Sequence, residues 1–161
     1  MAEQPAEETR CGFVALIGAP NAGKSTLINA LVGSKVSIVS HKVQTTRMLV
    51  RGIALEGAAQ LIFVDTPGIF APKRRLDRAM VTTAWSGAHD ADLTVLLIDA
   101  RKGIDDENGA IIDKMQEVGG KKVLLLNKID LVEKESLLAL AKAANERIAF
   151  CLLYTSPSPR D

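Results

Sequence analysis

An apolar run, Phe13-Val14-Ala15-Leu16-Ile17, leads straight into Gly18-Ala19-Pro20-Asn21-Ala22-Gly23-Lys24-Ser25, and a helix-like segment from Ser25 to Leu31 follows. The octapeptide fits the pattern GxxxxGK[ST] in the one setting where that pattern has physical meaning: after a buried strand and before a helix. Its glycines let the backbone curl so that successive N–H groups point inward at phosphate oxygens. The helix behind it adds the positive end of its dipole. Lys24 offers a point charge to β and γ phosphates, and Ser25 offers a hydroxyl to Mg²⁺. A chance Gly-Lys turn would not come with both flanking elements.

A second motif bears on the base. Leu124-Leu125-Leu126 closes a strand-like run, and Asn127-Lys128-Ile129-Asp130 follows at once. A carboxylate at Asp130 can accept from the ring N–H and the exocyclic amine on one edge of guanine. Adenine presents an acceptor there and no amine, so such a site discriminates by a factor on the order of 10⁴. An Asn-Lys-x-Asp string by itself is an ordinary polar turn; downstream of a phosphate loop it is specific.

A third element lies between them. Leu61-Ile62-Phe63-Val64 is short and apolar, and Asp65-Thr66-Pro67-Gly68 ends it. A carboxylate at the end of a buried strand reaches Mg²⁺ through the water shell that this ion gives up reluctantly. Gly68 leaves a backbone N–H free to approach a γ phosphate. The Pro-Gly pair also closes the strand as a plain turn.

Apolar runs and helical periods alternate along the chain. Strands are expected near 11–17, 48–56, 58–65, 93–99 and 121–126, and helices near 24–32, 76–88, 107–118 and 134–147. Glu56-Gly57-Ala58 reads as a hairpin, so its two strands are antiparallel. The remainder is βα alternation, which predicts an α/β fold: a mostly parallel sheet with one antiparallel edge strand and helices on both faces. All three motifs then fall at the carboxyl ends of strands, where such sheets bind nucleotides. Leu137, Leu138, Ala141, Ala144 and Ile148 recur at helical spacing and read as core.

Composition narrows the classes. A chain of 161 residues suits one domain, and 47% hydrophobic with 4% aromatic residues suits a sheet of Val, Ile and Leu. A net charge of +1 gives no global field for nucleic acid. Cys11 and Cys151 lack metal spacing and read as reduced thiols of a cytosolic protein. His41, Lys42 and the run Lys73-Arg74-Arg75 read as solvated loop residues, and Trp85 as core. No signal peptide or long apolar span is visible.

Together the three motifs resemble the translation-factor-class P-loop GTPases. The form Gly18-x-Pro20-Asn21-x-Gly23-Lys24-Ser25 followed by Thr26-Leu27-Ile28-Asn29-Ala30-Leu31 is similar to the bacterial ribosome-assembly members of that class. The segment Ser37 to Arg47, with Ile69-Phe70-Ala71-Pro72-Lys73 and Leu76-Asp77-Arg78-Ala79-Met80, resembles the Era-type GTPases, over about residues 10 to 150.

The resemblance implies a GTP-hydrolysing switch that acts in small ribosomal subunit assembly through its rRNA. GTP and GDP would be held by Gly18, Ala19, Pro20, Asn21, Ala22, Gly23, Lys24, Ser25, Thr26, Asp65, Thr66, Pro67, Gly68, Asn127, Lys128 and Asp130. Catalysis would rest on Lys24, Asn21, Thr46 and Gly68. Mg²⁺ would be held by Ser25 and Thr46, with Asp65 behind the water shell. Where Ras-type enzymes carry a water-orienting glutamine, this chain has Ile69, whose alkyl group cannot orient water. Relatives with an apolar residue there set a potassium ion against the phosphates, and the resemblance assigns its ligation to Asn21. It further implies a monomer, cytoplasmic and peripherally associated with the inner membrane. The alternatives are another ribosome- or tRNA-modification-associated GTPase and a guanine-nucleotide binding module that does not hydrolyse.

The domain organisation expected is a flexible tail over 1–10, a G domain over 11–150 and a non-native tail over 151–161. Ala149 to Tyr154 is apolar enough for one more strand. Thr155-Ser156-Pro157 does not match the Ser-Ala loop that should touch the base in this family, so the G domain reads as incomplete. The KH region that binds RNA in the family is missing from this sequence.

Overall fold

The computed structural model describes residues 8–19, 22–32, 49–65, 85, 88–150 and 152–157. Its centre is a six-stranded sheet in the order β2-β3-β1-β4-β5-β6. The strands are β1 (Arg10–Gly18), β2 (Leu49–Glu56), β3 (Ala59–Asp65), β4 (Leu93–Asp99), β5 (Lys121–Asn127) and β6 (Leu152–Ser156). Every neighbouring pair is parallel except β2 with β3, which are antiparallel with Glu56 opposite Ala59. The hairpin read from Glu56-Gly57-Ala58 is therefore present. One irregularity, between Val50 and Gly52, shifts the register of the edge strand β2.

Three helices pack on this sheet among the described residues: α1 (Lys24–Val32), α2 (Asp106–Met115) and α3 (Lys134–Arg147). Trp85 and residues 88–90 also have helical backbone; the remainder of the helix expected over 76–88 lies outside the described residues. The period-two alternation of the strands divides the core. Val14, Leu16, Phe63, Val95 and Val123 face Ile28 and Leu27 of α1. Ala15, Ile17, Leu96, Ile98, Leu124 and Leu126 face the other way, onto Trp85, Ala88, α2 and α3. Helices thus cover both faces, and β1, β4 and β5 are buried on both sides, which is why they read as continuous apolar runs. Each fully buried side chain such as Leu96 or Ile98 contributes roughly 1.5–3 kcal/mol.

Helix α2 starts at Asp105, whose carboxylate accepts from the Asn108 amide at 2.8 Å, with Asp106 and Glu107 in the first turn where the dipole favours them. Helix α3 docks on it through Arg147, which pairs with Asp113 at 2.7 Å, and through Gln116 Nε2 donating to the Arg147 carbonyl. The apolar stripe of α3 departs from the sequence reading at two residues, with Leu138 outside it and Leu140 within it. Leu140 and Ala144 are its buried residues, Leu137 and Ala141 pack against the core, and Leu138 is 73% exposed. Leu138 lies too far around the helix from the 137–140–144 stripe to reach the sheet.

Candidate nucleotide-binding site

The ends of β1, β3, β4 and β5 lie on one edge of the sheet. Leu16 of β1 is level with Asp65 of β3, and Asp99 of β4 is level with Asn127 of β5. The sequence motifs emerge along this edge. Gly18 ends β1, and the Ala22 amide donates to the Ala19 carbonyl at 3.1 Å, turning the loop. The Gly23 carbonyl accepts the first helical bond from Leu27 at 2.9 Å, so α1 starts directly behind the loop. Lys24 reaches back and its Nζ donates to the Gly18 carbonyl at 2.9 Å. This bond ties the ammonium back to the end of β1. Ser25 and Thr26 occupy the first turn of α1, and Asp65 ends β3.

Asn127 joins the phosphate loop to the base motif. It is 6% exposed, and its Nδ2 donates to the Ala22 carbonyl at 2.9 Å. Gly23 lies against the same amide at φ +104, and a Cβ on it would meet Asn127 Nδ2. Glycine is therefore required twice over, by the backbone and by the contact.

Lys128 follows in left-handed geometry at φ 60, the only described non-glycine residue with positive φ. For a side chain with a Cβ this costs roughly 1–2 kcal/mol. It reverses the chain into a short 3₁₀ turn, Ile129–Leu131, which carries Asp130. It also aims the Lys128 side chain at Asp99, with Nζ 3.1 Å from Oδ2.

Asp99 is the group that sequence reasoning missed. It is 3% exposed and accepts four hydrogen bonds: from the Arg101 amide and Nε on Oδ1 at 3.0 and 3.2 Å, and from Arg101 Nη2 and Lys128 Nζ on Oδ2 at 2.9 and 3.1 Å. The Arg101 side chain holds this carboxyl well below the usual carboxylate range against the opposing effect of burial, and the Arg101 amide and Lys128 add to the shift. The signal was present, since Leu93–Asp99 is an apolar strand ending in a carboxylate, as Leu61 to Asp65 is.

The structure thus brings together Gly18, Ala19, Ala22, Gly23, Lys24, Asn127 and Lys128, with Ser25, Thr26, Asp65 and Asp130 on the same edge by their backbone positions. Pro20, Asn21, Thr46, Thr66, Pro67, Gly68 and Ile69 lie outside the described residues. At the chain's end, β6 pairs in parallel with β5 and sets Ser156 level with Asn127. The strand expected over 149–154 instead runs over Leu152–Ser156, so Thr155 and Ser156, read as loop, belong to it.

Comparison with known proteins agrees with this geometry. Residues 13–128 match the model of the family described as 50S ribosome-binding GTPase. The GTPase Era of Bradyrhizobium sp. (strain BTAi1 / ATCC BAA-1182) is 72% identical over 150 residues, which are 93% of this chain and 49% of that protein. The chain spans about half the length of the curated relatives it matches. Among solved structures, Era in complex with MgGDPNP and nucleotides 1506–1542 of 16S ribosomal RNA superposes with a TM-score of 0.73. It is 35% identical, over 92% of this chain and 52% of that one. A variant of Aquifex aeolicus Era bound to GDP and AlF4⁻ gives a TM-score of 0.72, with the same identity and coverage. The chain belongs to the 50S ribosome-binding GTPase family, and its sequence is similar to Era GTPases over about half of their length.

Proposed function

We propose that this chain binds guanine nucleotides and hydrolyses GTP, as the switch domain of an Era-type protein of small ribosomal subunit assembly. The observation that carries this reading is the Asn127–Ala22 bond, which makes one unit of a phosphate loop and a base-reading motif. Inward amides of the loop and Lys24 bind the phosphates, and Asp130 accepts from the guanine edge. Residues 11–150 form the nucleotide-binding unit of this reading. Its RNA partner is inferred from the relatives, since one Era structure holds nucleotides of 16S ribosomal RNA.

Mg²⁺ fits the residues present. Among the described residues no group of three or more His, Cys, Asp or Glu could hold a metal alone. On this reading, nucleotide phosphates would be among the ligands of the ion. Ser25, Thr46 and Asp65 would supply the hard oxygen donors that Mg²⁺ takes, and the ion would offset charge on the β and γ phosphates. The reading extends to potassium, with Asn21 as its ligand and Ile69 unable to orient water. It also extends to a cytoplasmic monomer with peripheral membrane contact; no described helix is long and apolar enough to cross a membrane.

Phosphate release by the purified chain tests the reading. Expected is Mg²⁺-dependent hydrolysis of GTP and none of ATP, abolished in Lys24→Ala. Tight GTP binding without release of phosphate would make the chain a binding module instead.

A further inference from the structure

Lys128 stands between two residues with assigned work, Asn127 on the phosphate loop and Asp130 in the base motif. Its side chain is 19% exposed although it lies at the open edge of the sheet. The left-handed backbone at φ 60 and the Asp99 carboxylate hold it there from opposite ends. A lysine stem fixed at both ends is a flat apolar surface for one face of a planar base. The Asp99 carboxylate is fixed in turn. The Ala100 amide donates to the Asn127 carbonyl at 2.9 Å, locking the end of β4 to the end of β5. Arg101 grips both carboxylate oxygens while its own side chain is half exposed.

We propose that Asp99, oriented by Arg101, is a positioning residue for guanine recognition: its carboxylate holds the Lys128 side chain in place as the surface on which the base rests. The inference depends on the guanine-nucleotide reading above. Asp99 acts through Lys128, and Arg101 fixes the carboxylate by its bonds to both oxygens.

The test is release of N-methylanthraniloyl-labelled GDP and of a labelled non-hydrolysable GTP analogue from the 161-residue chain. Asp99→Asn keeps the shape of the side chain but turns a donor toward Lys128 Nζ. Release of both nucleotides should quicken about tenfold, equally, since the base is common to them. Lys128→Met should do the same, and the double variant should add less than about a further twofold, because both changes remove one arrangement. In steady-state hydrolysis the loss should appear as a raised KM. Unchanged release in Asp99→Asn, or effects of the two substitutions that multiply, would overturn the proposal. If Asp99→Asn does not fold, the half-exposed Arg101 carries the test. Arg101→Gln should quicken release severalfold in the parent and leave Lys128→Met unaltered, and no change in the parent would overturn the role. A parent chain that takes up labelled GDP no better than labelled ADP would remove the guanine reading and this inference together. A guanine-selective parent with an indifferent Asp99→Asn removes the inference alone.

Discussion

Asn127 donates from Nδ2 to the carbonyl of Ala22, 105 residues earlier, and is buried where it does so. The bond crosses from the end of β5 to the turn after β1 and ties the two segments together. On the guanine-nucleotide reading, a nucleotide that filled one half would find the other already held in place, which would reduce the ordering cost of binding.

Asn127→Ala should cost about 1–3 kcal/mol of stability, because the Ala22 carbonyl loses its buried partner. Affinity for GDP and GTP should fall alike, by about tenfold or more. Thermal unfolding with and without GDP, with calorimetric titration, measures both. Unaltered GDP affinity would mean that the two loops need no link.

Gly23→Ala and Gly57→Ala separate backbone strain from site geometry. Both glycines have positive φ, +104 and +57, so both substitutions should cost about 1–2 kcal/mol. A Cβ on Gly57 meets open space, whereas one on Gly23 meets the Asn127 amide. Gly57→Ala should bind GDP as the parent does, and Gly23→Ala should not bind it measurably. Equal binding by the two would show that the Gly23 contact relaxes without consequence.

Local chemistry made the three motifs legible, and periodicity made the sheet legible. Phe13 to Ile17 and Leu124 to Leu126 read as buried strands, and Glu56-Gly57-Ala58 read as the turn of the antiparallel pair. The strand that ends at Asp99 was legible but the partner of Asp99 was not, because only the fold brings Lys128, 29 residues on, within 3.1 Å. The Asn127–Ala22 bond was hidden in the same way, being a long-range contact of a residue whose local signal was a polar turn. Leu138 misled because residues 137 and 138 are both leucine and periodicity alone does not say which belongs to the stripe.

Asp99 should make the fold acid-sensitive. Its carboxyl titrates below the ordinary value of about 3.9 of an unfolded chain. The stabilisation is therefore fully present above that value and is lost as pH falls through it toward the folded one, since the unfolded chain takes up the proton first. Urea midpoints at pH 5 and pH 3 should drop more for the parent than for Asp99→Asn. Parallel drops in the two proteins would assign the acid sensitivity to other carboxylates.

Hydrolysis should depend on the monovalent cation. Ile69 has no group to orient water, so charge developing between the β and γ phosphates must be offset by something else. With Asn21 as a ligand, potassium would do so where an arginine finger sits in other enzymes. Single-turnover phosphate release should be faster in potassium than in sodium at equal ionic strength, and Asn21→Ala should abolish the difference. Equal rates in the two salts would leave the task to the backbone or to a partner.

Base selection should follow Asp130. The residue sits in the 3₁₀ turn after Lys128, on the sheet edge that carries the phosphate loop. On the guanine-nucleotide reading, its carboxylate would meet two donors on guanine with two acceptors. Asp130→Asn turns one acceptor into a donor, which opposes the exocyclic amine of guanine and suits the carbonyl that xanthine carries at that carbon. A site built for one pattern rejects the other because the mismatched groups stay unpaired and desolvated. GTP affinity should fall by about two orders of magnitude or more, and xanthosine triphosphate should gain by a similar factor. The loss should be confined to the base. Affinity for inorganic triphosphate, which touches only the phosphate loop, should stay as in the parent. Calorimetric titration of the three ligands against the parent and the variant decides it. A variant that still prefers GTP over the xanthosine nucleotide would mean that another group on this edge reads the base.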